Sequence, residues 1–195
     1  SVFLGEPVRI QYRIYNRLDG VDVRNYTFPD LSGAWRETVE GEDPRWENTI
    51  LNGQRFQVAT IRTDLLYPTQ TGTLELDGFD VDAQARISFF NTRPLASSAR
   101  PVQIEVKPLP GSAPAPSLGT FRDLKLTWFS EGTLPLKSNE AVNLTLEISG
   151  KGNLGLIGAP DIEWPADLEV FDPEIKDRIR TTINGQSGKR TLTYL

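Results

Sequence analysis

Val8, Ile10, Tyr12 and Ile14 alternate with Arg9, Gln11 and Arg13, and this period of two limits the fold more than any other feature of the chain. Side chains at alternate positions point to opposite faces of an extended backbone, so the run is a strand with one buried face and one wet face. The same plan restarts later. Val142, Leu144, Leu146 and Ile148 follow Glu140-Ala141 much as Val8 and its partners follow Glu6-Pro7. Ala159-Pro160-Asp161-Ile162 answers Phe28-Pro29-Asp30-Leu31, and Asn184-Gly185-Gln186 answers Asn52-Gly53-Gln54, all at offsets of 131 to 134 residues. Three landmarks in one order at nearly one spacing predict a duplicated, strand-built domain.

The punctuation between these runs fits the same reading. Asn-Gly between two strand-like runs is the strongest short-range hairpin signal, because both residues accept positive φ; it joins runs at 45–51 and 54–66. The segment Tyr67-Pro68-Thr69-Gln70-Thr71-Gly72 is expected to break the second run. Further short strands are expected at 73–76, 85–90 and 101–106, with Val102, Ile104 and Val106 alternating, and at 142–149. With 14 prolines and 16 glycines in 195 residues, the expected class is all-β: two tandem immunoglobulin-like β-sandwich domains. The expected boundaries are a first domain at 1–107, a proline-rich linker at 108–118 ("PLPGSAPAPSL") and a second domain at 119–195. The second copy has no counterpart to 67–107, so it is expected to be incomplete at its C-terminus. The chain, which opens on Ser1-Val2-Phe3-Leu4, is expected to be an excised piece of a parent that continues beyond Leu195.

The motif "GKGNLG" at 150–155 matches G-x-G-x-x-G. A dinucleotide site needs that motif to open a helix whose N-terminal amides meet the pyrophosphate. Here Gly158, Pro160 and Pro165 follow at once and forbid a helix of useful length, so the glycines are read as shaping a strand exit. Composition narrows the rest. A net charge of −5 supplies no basic field for nucleic acid. With neither histidine nor cysteine, the chain has no thiol nucleophile, no disulfide, none of the usual zinc ligands and no histidine base. A Ser–Lys pair stays open on composition, but no carboxylate pair stands out from the many surface acids. The chain is therefore read as non-enzymatic, with no catalytic residues and no cofactor.

Three weaker candidates remain. Asp77, Asp80 and Asp82 are possible calcium ligands, because β-sandwich loops rich in acids hold that ion and Asp80 and Asp82 share one face of an extended chain. Glu37, Glu40, Glu42 and Asp43 form a second acidic cluster, read as a polar loop. Trp35, Trp46, Trp128 and Trp164 would stack sugars if exposed and coplanar, although tryptophans in sandwiches more often anchor a core.

Taken together, "LGEPVRIQYRIY", "FPDLSGAW", "NGQRFQVATIRTDLLYPTQTGTLEL", "VKPLP" and "ISGKGNL…APDIEWPADLEVFDP" resemble the BatD family of bacterial oxygen-tolerance (aerotolerance) proteins, in order and over nearly the whole chain. The resemblance implies a periplasmic region of immunoglobulin-like domains in an inner-membrane protein with a transmembrane helix. It also implies work beside MoxR-type AAA+ ATPases and membrane proteins with von Willebrand factor A domains. On that basis the expected function is a protein-interaction or scaffold module. Strand addition at an open edge is one expected mode of binding, and Asp30, Asp80 or Glu42 are possible acids for a metal-bridged contact. The alternative is a carbohydrate- or peptidoglycan-binding module. Oxygen tolerance would be a phenotype and not a reaction, since histidine, cysteine and methionine, the last also prone to oxidation, are all missing.

Overall fold

The computed structural model describes residues 1–40, 43–111, 119–131 and 140–195. They form an all-β protein with two compact units, Ser1–Gly111 and Ser112–Leu195. The first unit is built around one long strand, β6 (Gln54–Pro68), which pairs antiparallel with β2 (Val8–Asn16) along one side. Along its other side lie first β5 (Glu47–Leu51) and then β4 (Ala34–Thr38). Two further sheets complete the unit. In one, β10 (Val102–Lys107) lies between β1 (Val2–Phe3) and β7 (Gly72–Leu76). In the other, β8 (Asp80–Ser88) lies between β3 (Val21–Thr27) and β9 (Asn91–Ser98).

The alternation in the sequence explains where the cores sit. Leu66, Leu74, Leu76 and Val106 form one buried cluster, which joins the β2-β6 sheet to the β7-β10 sheet. Tyr12, Phe79 and Val81 form another, which joins β2 to β8. Burial of apolar side chains at these alternate positions supplies the main stabilising force and consumes one face of each sheet. The arrangement is consistent with a β-sandwich of the immunoglobulin kind.

The expected break at 67–72 falls two residues later than its start, because the strand continues through Tyr67 and Pro68 before it ends. Tyr67 is fully buried, and a proline as the last residue of a strand costs the ladder a single donor, so Pro68 still pairs with Ala34. The run expected at 85–90 begins instead at Asp80 and ends at Ser88, with Phe89-Phe90 forming the turn into β9. β3 and β9 carry little apolar alternation; their register is imposed by β8. β9 also carries Pro94, which suits an edge strand. Glu42 and residues 112–118 of the expected linker lie outside the described residues.

In the second unit one sheet has the order β11 (Arg122–Glu131), β12 (Asn143–Lys151), β14 (Gly185–Tyr194), β13 (Glu174–Thr182). Leu146, Ile148, Leu192 and Tyr194 line its buried face. Ile157, Ile162, Trp164 and Val170, from the connection between β12 and β13, pack over them as the second layer. The repeated landmarks map onto one repeated pairing: β6 lies between β2 and β5 as β14 lies between β12 and β13.

The two hairpin turns differ by one position. Asn52 and Gly53, at φ 51° and 75°, are the two central residues of a type I′ turn. In the second unit Thr182 pairs with Gly185, so the loop is Ile183-Asn184. There the Asn184 amide donates to Thr182 Oγ1 at 3.3 Å, and that hydroxyl donates to the Gly185 carbonyl at 3.1 Å. A local side-chain turn thus replaces the positive-φ pair.

Candidate interaction site

β11 occupies an edge of the second unit's sheet, and among the described residues no strand pairs with its outer side. Its alternation places Leu126 beside Ile148 and Trp128 beside Leu146, on the same face as the core. That face is covered only part of the way. Leu124, Leu126 and Trp128 remain 44%, 57% and 45% exposed, while Leu146 beside them is fully buried. Beneath the stripe, Trp128 meets the Trp164 ring edge-on at 6.5 Å, and both lean on Tyr194, at 6.3 and 5.2 Å. Burial raises the Tyr194 phenol above its ordinary pKa, so it stays neutral.

The opposite edge, β13, reads Glu174, Lys176, Asp177, Arg178, Arg180, with Glu174 and Lys176 ion-paired at 3.0 Å. Charged side chains along an edge oppose the docking of another strand. β11 carries charge too, at Arg122, Asp123, Lys125 and Glu131, but it adds the exposed apolar stripe of Leu124, Leu126 and Trp128.

The "GKGNLG" segment leads out of β12 at the end of this sheet. Gly152 has φ 129°, and a Cβ there would lie 2.7 Å from the Phe121 ring and 2.9 Å from the Thr120 carbonyl, so the backbone approach requires glycine. A short 3-10 turn, Leu154–Leu156, follows. The Arg190 guanidinium donates to the carbonyls of Leu154 (3.1 Å), Gly155 and Ile157 (2.7 Å). The loop thus presents carbonyl oxygens inward to a cation. A phosphate would need amides.

The remaining candidates are scattered. Asp80 and Asp82 lie on the exposed face of β8 and Asp77 on the turn before it; among the described residues no three acidic side chains converge on a possible metal position. Glu37 accepts a hydrogen bond from the Trp35 indole at 2.5 Å, and Asp30 is exposed between β3 and β4. Trp35 and Trp46 are about half exposed, but the near-parallel ring pair of the described residues, Phe28 and Phe79 at 11°, belongs to the first unit's core. The exposed rings meet edge-on or tilted. An open trough of about 840 Å³ in the first unit is lined by Ile14, Tyr15, Trp46, Phe56 and Val81, and Arg17 lies over Phe56 at 5.6 Å. Among the described residues no side-chain hydrogen bond joins a serine to a lysine.

β11 is the site that sequence reasoning missed. Its alternation, Leu124, Leu126, Trp128, is visible in the sequence, but Asp123 at φ 56° makes a bulge that blurs the start of the strand.

Fold and site thus define a class: an all-β protein whose second unit presents an edge strand with an exposed apolar stripe. The family comparison is more specific. The BatD family model, described as BatD DUF11 like domain, matches residues 133–195. The match lies in the second unit and covers about a third of the chain, so that unit is similar to the BatD domain. BatD proteins are a membrane-associated envelope family and not a known enzyme family. No curated protein and no solved structure matches the chain. No helix among the described residues is long and apolar enough to cross a membrane.

Proposed function

We propose that this chain is a non-enzymatic interaction and scaffold module of a membrane-anchored, BatD-like envelope protein, facing the periplasm and linked to oxygen or stress tolerance. Its two units are two immunoglobulin-like domains, joined near residues 108–118. Its partners are membrane proteins with von Willebrand factor A domains, acting with a MoxR-type ATPase.

The observation that supports an interaction role most directly is β11. A ten-residue edge strand with a half-exposed Leu124-Leu126-Trp128 stripe offers backbone groups to pair and apolar surface to cover. Main-chain hydrogen bonds give affinity in such pairing, and alternate side chains give selectivity. The missing histidine, cysteine and methionine support a structural role over a redox one.

The test is a pull-down of the 195-residue chain with the ectodomain of a von Willebrand-type membrane protein in magnesium. The metal is included because Asp30 or Asp80, both exposed, or Glu42 would complete a bridged contact. Specific retention is the expected result, and no detectable association at high micromolar concentration rejects that partner.

A further inference from the structure

The tip of the β8–β9 hairpin is the most exposed apolar feature of the first unit. Ile87, Phe89 and Phe90 are 62%, 85% and 94% exposed, and the two phenylalanine rings meet each other edge-on at 4.9 Å. The hairpin is held firmly at its base, where Val21 pairs with Ala85 and the Arg86 amide donates to the Gly20 carbonyl at 3.0 Å. Beyond that point β8 and β9 project as a two-stranded ribbon. The β2–β3 turn beside its base adds Leu18, 53% exposed.

Charge is distributed unevenly around this tip. Residues 83–104 contain no acidic side chain and carry Arg86, Arg93 and Arg100, in a chain whose net charge is −5. Arg86 and Arg93 sit just behind the aromatic pair, and Arg17 and Asp19 lie in the neighbouring turn; Asp82 is the acid nearest in sequence. Large exposed side chains on a soluble surface mark a docking site. The shape says which kind. The apolar groups cap the projecting end of a two-stranded ribbon, as insertion into a fluid phase requires, and the arginines stand three residues behind the aromatic pair, where lipid phosphates would lie.

We infer that the Phe89-Phe90 tip docks the first unit onto an anionic bilayer surface, with Ile87, Phe89 and Phe90 entering the acyl boundary and Arg86 and Arg93 meeting the phosphates. The site lies in the first unit and stands or falls apart from the β11 reading.

The chain has no cysteine, so Phe90→Cys carries a single environment-sensitive fluorophore, with Thr71→Cys, in the turn before β7, as the control. Vesicles of phosphatidylglycerol and phosphatidylethanolamine are the probe, against vesicles of phosphatidylcholine. The expected result is a blue shift at position 90 and none at 71, greater on the anionic vesicles and reduced by salt. In co-sedimentation, Phe89→Ser/Phe90→Ser lowers vesicle binding at least about tenfold, and Arg86→Gln/Arg93→Gln weakens it selectively on anionic lipid. Both pairs are exposed, and unchanged circular dichroism shows that the fold survives. A label at 90 that stays in water, or vesicle binding that persists in the serine pair, overturns the inference. Capture of the tip by a protein groove without any vesicle binding overturns it too.

Discussion

The Arg62 guanidinium donates to the Asp64 carboxylate at 2.7 Å from two residues away on β6, and the carboxylate is completely buried. Thr38 of β4 donates to the same oxygen at 2.9 Å, and the guanidinium lies over the Phe28 ring at 4.6 Å. The pair therefore ties β4 to β6 and roofs the aromatic cluster of Tyr12, Phe28 and Phe79. Asp64→Ala leaves Arg62 and the Thr38 hydroxyl without their acceptor. It is expected to cost about 2–3 kcal/mol, because removing one member of a buried pair costs more than the pair contributes. Asp64→Asn, which keeps an acceptor, is expected to cost less. Urea denaturation of both variants checks the order.

Tyr12 supplies a pH dependence. Burial, and next the negative charge of Asp64, raise its phenol above the ordinary value of 10.0, against the opposing pull of Arg62 and Arg36. A raised pKa means that the folded state holds the proton more tightly than the unfolded state. This contribution is fully present below pH 10 and is lost as pH climbs through the raised value. The unfolding free energy is expected to fall as pH climbs above 10, and Tyr12→Phe to lessen the fall. Tyr194, raised by burial, predicts the same for Tyr194→Phe. Denaturation midpoints measured across this range decide it.

Arg190 holds the connection that covers the second unit's core. Besides its three carbonyl acceptors, its Nε lies 3.3 Å from Asp177 Oδ1 on β13. Arg190→Ala is expected to destabilise the second unit by about 3 kcal/mol, since several charge-assisted bonds are lost at once. Faster amide exchange at Leu156 and Ile157, whose amides donate within the loop, is the local sign to look for.

The two hairpin turns give a backbone test. A Cβ at Gly53 would meet nothing within 4 Å, so Gly53→Ala is expected to cost about 1 kcal/mol from the left-handed conformation alone. Asn184, outside the positive-φ region, is expected to accept alanine with a smaller loss, read by thermal denaturation.

How far the sequence revealed this fold depended on how locally each element is specified. The alternation in β2 and β12 and the Asn-Gly landmarks located the strands they head, because period and turn chemistry are local. β3 and β9 were invisible, since their partner β8 supplies the register and their own side chains stay mostly exposed. The break at 67–72 was legible, but β6 runs on through Tyr67-Pro68 because proline at a strand end costs little when the residue before it is buried. The "GKGNLG" loop was legible as a strand exit, because Pro160 and Pro165 forbid a helix after it, and it leads from β12 into a short 3-10 turn. Its partner Arg190 lies 35 residues beyond Gly155, a distance that no local motif spans.

The central claim is that the apolar edge of β11 receives a partner strand. The direct measurement is the affinity of the von Willebrand-type ectodomain, in magnesium, for the chain and for its Leu124→Lys/Leu126→Lys variant. The account predicts micromolar binding by the native chain and at least about tenfold weaker binding by the variant, whose charges guard the edge as those of β13 do. Equal affinity for the two contradicts it.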